Sequence, residues 1–408
     1  MIVVDQHLLT VNTGSSSLKA ALYRVGEKES EKESRELFAE AERIGLPHSL
    51  LRFQNVRGDT LEEQRVELPD HAAALRTLLD QLGVVKGLDR DLVAVGHRVV
   101  HGGDRYREPR RITAEVLDNL RALIPADPDH MPQSLAAIKA ISQAYPGVPQ
   151  VACFDTAFHG RMPRVARIYA LPRRVTEAGV VRYGFHGLSC EYVMEQLRTA
   201  DRASADGRVV IAHLGNGASM TAVRGGVGAD TTMGFTPTGG LVMGTRTGDL
   251  DPGVLLHMLL STGMAPAEVN DLVNRKAGLL GVSGESADMR DLLSREEHEP
   301  RAAEAISLFC YQAKKFLGAL AAVLGGLDTL VFTGGIGAHA APVRWRICED
   351  LEFLGIRLVP GLNAAHAPII SCDDNPVTVR VMRTNEDLMI ARHTRRLITE
   401  KGVKNVPF

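Results

Sequence analysis

VNTGSSSL, residues 11–18, and LGNGASMT, residues 214–221, share one pattern in the two halves of the chain. In each, an apolar β-type run breaks at a glycine-bearing polar turn and then resumes; in the first case Leu8–Val11 gives way to Leu18–Tyr23. Aligned, they put Gly14 on Gly217 and Ser16 on Ser219, one copy per half of the chain, which predicts a duplicated unit. Outward from these, Leu92–Gly96, Val148–Phe154 and Val209–Leu214 read as strands, with helical periodicity over His71–Leu82, Pro132–Ala144 and Leu188–Thr199 between them. That alternation specifies an α/β protein. A further strand, Thr329–Phe332, is followed by a glycine turn, Thr333-Gly334-Gly335-Ile336-Gly337, with a helix expected from near Pro342. Glu386–Thr399 reads as an amphipathic helix folded back onto one domain, and the charged run Gly26–Glu36 as a solvated loop or frayed helix without function.

The 408 residues suit two or three domains, and 45% apolar with 24% charged residues is an ordinary globular composition. With 47 basic and 49 acidic residues, no net field points to nucleic acid or to an anionic membrane, so a small-molecule role is favoured. Cys153, Cys190, Cys310, Cys348 and Cys372 are odd in number and contain no C-x-x-C, which speaks against a disulfide framework or thiolate zinc site and for a reducing, cytoplasmic setting. The first residues lack a basic n-region before an apolar stretch and do not read as a secretory signal. The best apolar run, Phe316–Leu327, is interrupted by Gly318, Gly325 and Gly326 and reads as the end of a buried helix rather than a membrane span.

Phosphoryl transfer requires backbone N–H groups and hydroxyls around phosphate, a divalent cation and fixed positive charge. Asn12–Lys19 offers a glycine turn, three serine hydroxyls and a lysine, while His213–Gly217 and Gly334–Gly337 offer two more exposed-backbone turns. Neither a P-loop nor a complete dinucleotide fingerprint is present, so a nucleotide must be held by loops from distant parts of the chain. Arg98 and Arg246 stand next to apolar or glycine-rich segments, where a planar guanidinium can grip two phosphate oxygens, although taken alone each reads more readily as a structural salt bridge. His97 and His101 have helical metal-ligand spacing, but four residues of strand span roughly 13 Å, so they cannot share an ion. Asp155 ends an apolar strand and His186 sits between glycines, where it can be catalytic or merely buried; no G-x-S-x-G elbow supports a hydrolase.

Taken together the blocks VNTGSSSLK, VGHRVVHGG, CFDTAFH, RYGFHGLS, IAHLGNGASM, MGFTPTGGLVMGTRTGDLDP, GLLGVSGESADMRDL, FTGGIGAHAAPVR and RTNEDLMIARHT resemble the acetate kinase family, in order, from Leu8 to about Thr394. The resemblance implies two duplicated ribonuclease-H-like, actin-like ATPase domains, residues 1–155 with 389–408 and residues 156–388, with the active site in the cleft, and a homodimer. It implies transfer between ATP and acetate giving ADP and acetyl phosphate, with Mg²⁺, or Mn²⁺ in its place, at Asn12 and Glu386. Lys19, Ser15 and Ser17 are implied near the phosphates. Arg98 and Arg246 would hold substrate and migrating phosphoryl group, His186 would stabilise the transition state, and Asp155 would contact the acceptor, with Val100, Phe185 and Pro237 around it. For the nucleotide the matching residues are His213, Leu214, Gly215, Asn216 and Gly217, then Asp288, Met289 and Arg290, then Gly335, Ile336, Gly337, Ala338 and His339.

Several positions depart from the family pattern. Ala338-His339 replaces a usual Glu-Asn, which bears on base preference; Cys190 and Leu188 replace a common histidine and threonine; Thr238-Gly239 stands where Leu-Glu is usual; and of Asp129-His130-Met131-Pro132 only His130 and Pro132 match. A smaller residue at 238 would admit a longer acid, so propionate or butyrate kinase is the nearest alternative. A non-catalytic acyl-phosphate sensor and an ATP-driven conformational protein of the Hsp70 or actin type are the others.

Overall fold

The computed structural model describes residues 6–14, 16–26, 33–86 and 91–399. The chain forms two compact units, Met1–Ala157 with Asn385–Phe408, and Phe158–Thr384. The helix Glu386–Thr399 therefore belongs whole to the first.

The first unit is built on an eight-stranded sheet of β1 (Gln6–Thr13), β2 (Ser17–Val25), β3 (Ser34–Glu42), β4 (Ser49–Asn55), β5 (Thr60–Val66), β6 (Leu92–Val99), β7 (Arg110–Arg111) and β8 (Gln150–Phe154), in the order β5-β4-β3-β2-β1-β6-β8-β7. Strands β1 and β2 pair antiparallel, whereas β1, β6 and β8 run parallel. Both faces are covered, so β1 is buried without a break from His7 to Val11, polar His7 and Thr10 included. Leu9, Val11, Leu18 and Leu22 point to one core, which includes Ala74, Leu75 and Leu78 of the helix His71–Lys86. The alternate residues Leu8, Ala21 and Tyr23 pack instead with Ala391 of Glu386–Thr399. That helix lies so close that a Cβ on Gly96 would come within 2.6 Å of Ile390 Cγ2, so position 96 has room only for glycine.

In the second unit β9 (Arg208–Leu214), β10 (Ala218–Arg224), β11 (Val227–Thr231), β12 (Thr329–Thr333) and β13 (Thr378–Val381) form a sheet in the order β11-β10-β9-β12-β13. Directions repeat those of the first unit: β9, β10 and β11 are an antiparallel meander, and β9, β12 and β13 are parallel. Thus β3-β2-β1-β6-β8 and β11-β10-β9-β12-β13 are the same topology twice, and the expected α/β duplication is present. The helix Gly187–Ala200 packs Val193 and Leu197 against Val209, Ile211 and Val331.

Three details differ from expectation, and one apolar helix meets it. The β1–β2 hairpin closes at Thr13↔Leu18 and the β9–β10 hairpin at Leu214↔Ala218, so Gly14 corresponds to Gly215, two positions from the sequence alignment. The β9–β10 turn is one residue shorter than the β1–β2 turn, so Leu18 corresponds to Ala218, three positions from that alignment, and only the first strand of each hairpin keeps its side chains on the aligned face. The Gly334–Gly337 segment is not a turn but opens a helix, Gly334–His339. Ser34–Glu36, read as loop, begins β3, because Glu36 meets His7 Nε2 at 3.1 Å and Arg24 Nε at 3.6 Å across the sheet; residues 27–32 of that run lie outside the described residues. Finally, the apolar helix Pro300–Leu324 has 25 residues, long and apolar enough to cross a membrane by those measures. Its Ile306, Phe309, Ala313, Leu317, Leu320 and Leu324 nevertheless form one buried stripe.

Candidate active site

Register alone brings the first unit's polar residues together. Val11 pairs with His97 and Arg98 with Cys153, so Asn12, Arg98 and Asp155 emerge on one sheet face at the carboxyl ends of three neighbouring parallel strands. Arg98 donates to Asp155 Oδ2 from Nε at 2.9 Å and also from Nη2, and its Nη1 donates to Asn12 Oδ1 at 3.3 Å. Asn12 Nδ2 donates to Glu386 Oε2 at 3.2 Å, and that carboxylate also lies 3.9 Å from Arg98 Nε. Glu386 reaches this face because Asn385 starts its helix, its Oδ1 accepting from Leu388 N at 3.0 Å. Burial opposes the Arg98 charge, but Asp155 and Glu386 outweigh it and hold the guanidinium above its ordinary pKa.

Asp387, absent from the sequence expectations, is the carboxylate that they missed. It is buried, its Oδ1 has no hydrogen-bond partner, and burial followed by the charge of Glu386 pushes its pKa up to about 6. The adjacent acids at a helix start were the available signal. Lys19 shares this face but meets Glu40 Oε1 at 3.3 Å; Glu40, Asp387 and Glu386 outweigh the opposing effect of burial and raise its pKa. Ser17 opens β2, its carbonyl accepting from Gly14 N at 2.8 Å, and Ser15 lies outside the described residues. Val100 is buried just past β6. Among the described residues no group of three or more His, Cys, Asp or Glu could cage a metal ion. Asn12, Glu386 and Asp387 do provide hard oxygen donors, and one or two carboxylates completed by substrate phosphate suit Mg²⁺.

In the second unit His186 precedes the helix Gly187–Ala200 in a left-handed conformation, φ 58°, unusual for a residue with a Cβ. Its Nδ1 is 3.0 Å from Ser219 Oγ, and its ring stacks on His213 with centroids 4.2 Å apart. His213 Nδ1 is in turn 2.8 Å from Ser189 Oγ. Arg246 Nη1 donates to the carbonyl of buried Pro237 at 2.6 Å. A Cβ on Gly217 would stand 3.2 Å from both Arg246 Nη2 and His186 Nε2, so these two donors converge where that glycine leaves space. Phe185 is buried, its carbonyl 2.9 Å from His159 Nε2.

A cavity of about 480 Å³ in this unit is lined by Gly215, Asn216, Asp288, Met289, Arg290, Gly335, Ile336 and His339, all expected nucleotide residues, and by Ala287 and Ala340, which were not. Asp288 starts the helix Met289–Arg295, accepting from Arg290 N at 2.8 Å. His213, Leu214, Gly217, Gly337 and Ala338 do not line it; Gly337 and Ala338 are buried. Of the two departures there, only His339 faces the cavity. Cys190 sits in the apolar core with its Sγ 3.6 Å from Thr221 Oγ1, and Thr238 hydrogen-bonds Asn274 through its hydroxyl.

The chain matches the profile of the Acetokinase family over residues 7–392. It is 48% identical over 396 residues to the acetate kinase of Rhodopseudomonas palustris, covering 96% of this chain and 98% of that protein. Among solved structures it resembles the acetate kinase of Porphyromonas gingivalis, with a TM-score of 0.85 at 38% identity over 97% of this chain and 100% of the other. A propionate kinase from Francisella tularensis superposes with a TM-score of 0.88 at 35% identity, over 96% and 99% of the two chains.

Proposed function

The chain belongs to the acetokinase family, and from that premise we propose that it transfers a phosphoryl group reversibly between ATP and acetate, giving ADP and acetyl phosphate, by direct in-line displacement. The observation that carries this reading is that Asn12, Arg98 and Asp155 at strand ends on one sheet face meet Glu386 from the start of the helix Glu386–Thr399, two donors between two carboxylates. Acetate is ionised near neutral pH, so no strong base is needed. Asp155, bonded through its Oδ2 to Arg98, orients the guanidinium and the acceptor rather than taking a proton. Arg98 binds the carboxylate, while Arg246 Nη2 and His186 Nε2 supply positive charge and hydrogen bonds to the equatorial oxygens of the migrating group. The cavity at Asn216, Met289 and His339 takes the nucleotide. Mg²⁺, held by Glu386 and Asn12 with Asp387 beside them, would neutralise phosphate charge when bound.

The five free cysteines support a cytoplasmic setting. Exposed Val254, Leu256 and Leu260 on the stretch Pro252–Ser261 support a homodimer. Propionate is the second reading, favoured by the similarity to a propionate kinase and by the smaller Thr238.

The test is purified protein with Mg²⁺, a panel of nucleotides and pyrophosphate as donors, and C2 to C4 acids as acceptors, trapping acyl phosphate with hydroxylamine. Acetate with ATP should give the highest kcat/KM. No hydroxamate with any pair would end the kinase reading, and the same panel ranks propionate against acetate.

A further inference from the structure

Behind the His339 wall of the second unit's cavity lies an arginine that is 0% exposed. Arg344 donates from Nε to Asn363 Oδ1 at 2.8 Å, from Nη1 to the Gly337 carbonyl at 2.9 Å, and from Nη2 to the Asn363 carbonyl at 2.7 Å and to His366 Nδ1 at 2.9 Å. All four acceptors are neutral. Burial lowers its pKa only to about 10, so the group stays charged at neutral pH. A buried cation without a carboxylate is costly, and what it achieves here is geometric: it ties the glycine helix Gly334–His339, through Gly337, to the segment carrying His366.

The bond to His366 fixes more than position. A guanidinium has no acceptor, so His366 Nδ1 carries a lone pair and the ring proton resides on Nε2. The imidazole is therefore held as one neutral tautomer. Its backbone is left-handed, φ 51°, a conformation that a residue with a Cβ keeps only when its surroundings impose it. From there the ring meets His339 edge-to-face, centroids 6.1 Å apart and planes at 68°. Both rings are exposed, and His339 stands at the cavity with Ile336 and Met289. Apolar side chains beside an exposed, immobilised aromatic ring suit a flat heteroaromatic base. Stacking of that kind scales with ring area and reads no hydrogen-bond code.

We propose that Arg344 and His366 are positioning residues that hold the His339 ring as a stacking platform for the nucleotide base, so that this protein selects purine over pyrimidine nucleotides and separates adenine from guanine only weakly. The proposal rests on the nucleotide reading of the cavity given above.

Calorimetric titration of the full chain with the Mg²⁺ complexes of ADP, GDP, CDP and UDP reads it without turnover. ADP and GDP should bind within about threefold of each other, and CDP and UDP at least about fivefold more weakly. His339→Ala should weaken the purine nucleotides about fivefold or more and close that gap. Two substitutions at 366 tolerate the left-handed backbone. His366→Gly should close the gap and raise the KM for ATP with that for acetate unmoved, whereas His366→Asn, which loses the ring against His339 but keeps an Oδ1 that can accept from Arg344, should narrow the gap less. Thermal melts confirm that each variant is folded. A purine–pyrimidine gap absent from the unsubstituted protein, or unchanged in His339→Ala, overturns the proposal, as does His366→Asn falling as far as His366→Gly. Normal hydroxamate formation with an unchanged gap sinks this inference alone; a gap closed by His339→Ala in a protein that makes no hydroxamate sinks the kinase reading alone.

Discussion

Arg98 sets two nitrogens, Nε at 2.9 Å and Nη2, on the single oxygen Oδ2 of Asp155, a carboxylate with no solvent exposure. A pair so placed is worth less as net stability than its loss costs, because removing one partner leaves a buried charge behind. Arg98→Ala is therefore expected to destabilise the protein by about 3–5 kcal/mol in urea unfolding. Asp155→Asn, whose amide oxygen still accepts, should cost less. Both should lower kcat for hydroxamate formation by about 10²-fold or more. Wild-type turnover in Asp155→Asn would remove that residue from the chemistry.

Asn12, Arg98 and Asp155 could each be picked from the sequence as polar residues at strand ends, but nothing in it said that they share a face. That follows from the pairings Val11↔His97 and Arg98↔Cys153, which are long-range registers. Asp387 carries only the weak signal of two adjacent acids at a helix start: next to Glu386 on an amphipathic helix it reads as solvated, and only docking of that helix on β1 and β2 buries it. Gly334–Gly337 reads as a turn because its glycines stand between a strand and a helix, and the packing of Gly334–His339 on β9 and β12 makes the segment helical. His366 lies in an irregular segment with no motif, so its contact with Arg344 had no sequence signal. The strand-turn-strand echo and the terminal amphipathic helix were legible because local periodicity encodes them.

Three buried histidines predict an acid-sensitive fold. Burial lowers His97 from 6.5 to about 4, only partly offset by its hydrogen bond to Gln150, and His101 and His159 fall to about 4 for the same principal reason. A depressed folded-state pKa means that the unfolded chain binds more protons between those values. Stability is then fully present above about pH 6.5 and is lost as pH falls toward 4, by up to about 1.4 kcal/mol per pH unit for each histidine. Urea midpoints across pH 4 to 7 measure the slope. His97→Gln should make it shallower, and an unchanged slope would contradict the assignment.

The exposed apolar stretch Pro252–Ser261 makes the dimer testable. Leu256 is 55% and Leu260 79% exposed, and side chains of this kind are stable in water mainly when a partner covers them. Light scattering should give twice the 44.2 kDa chain mass. Leu256→Glu with Leu260→Glu should halve it with little change in secondary structure by circular dichroism. A monomeric unsubstituted protein at micromolar concentration would dismiss the proposal.

Gly217 gives the sharpest test of the second unit's donors. An added Cβ would stand 3.2 Å from Arg246 Nη2 and 3.2 Å from His186 Nε2, tight enough to displace side-chain tips yet too slight to unfold a hairpin. Gly217→Ala should therefore keep its melting temperature within a few degrees and lower kcat by about 10-fold to 100-fold, since misplacing a preorganised donor by a few tenths of an ångström weakens its hold on developing charge. Gly318→Ala, on the helix Pro300–Leu324 and not in the cavity lining, is the control: its Cβ would also meet nothing within 4 Å, so kcat should hold. Arg246→Lys separates charge from geometry. One ammonium cannot both donate to the Pro237 carbonyl, as Nη1 does at 2.6 Å, and reach the place that Nη2 occupies beside Gly217, so turnover should fall about 10²-fold although the positive charge remains. If Arg246→Lys turns over normally, the fork is not what the reaction uses, and the loss in Gly217→Ala must then be traced to His186 alone.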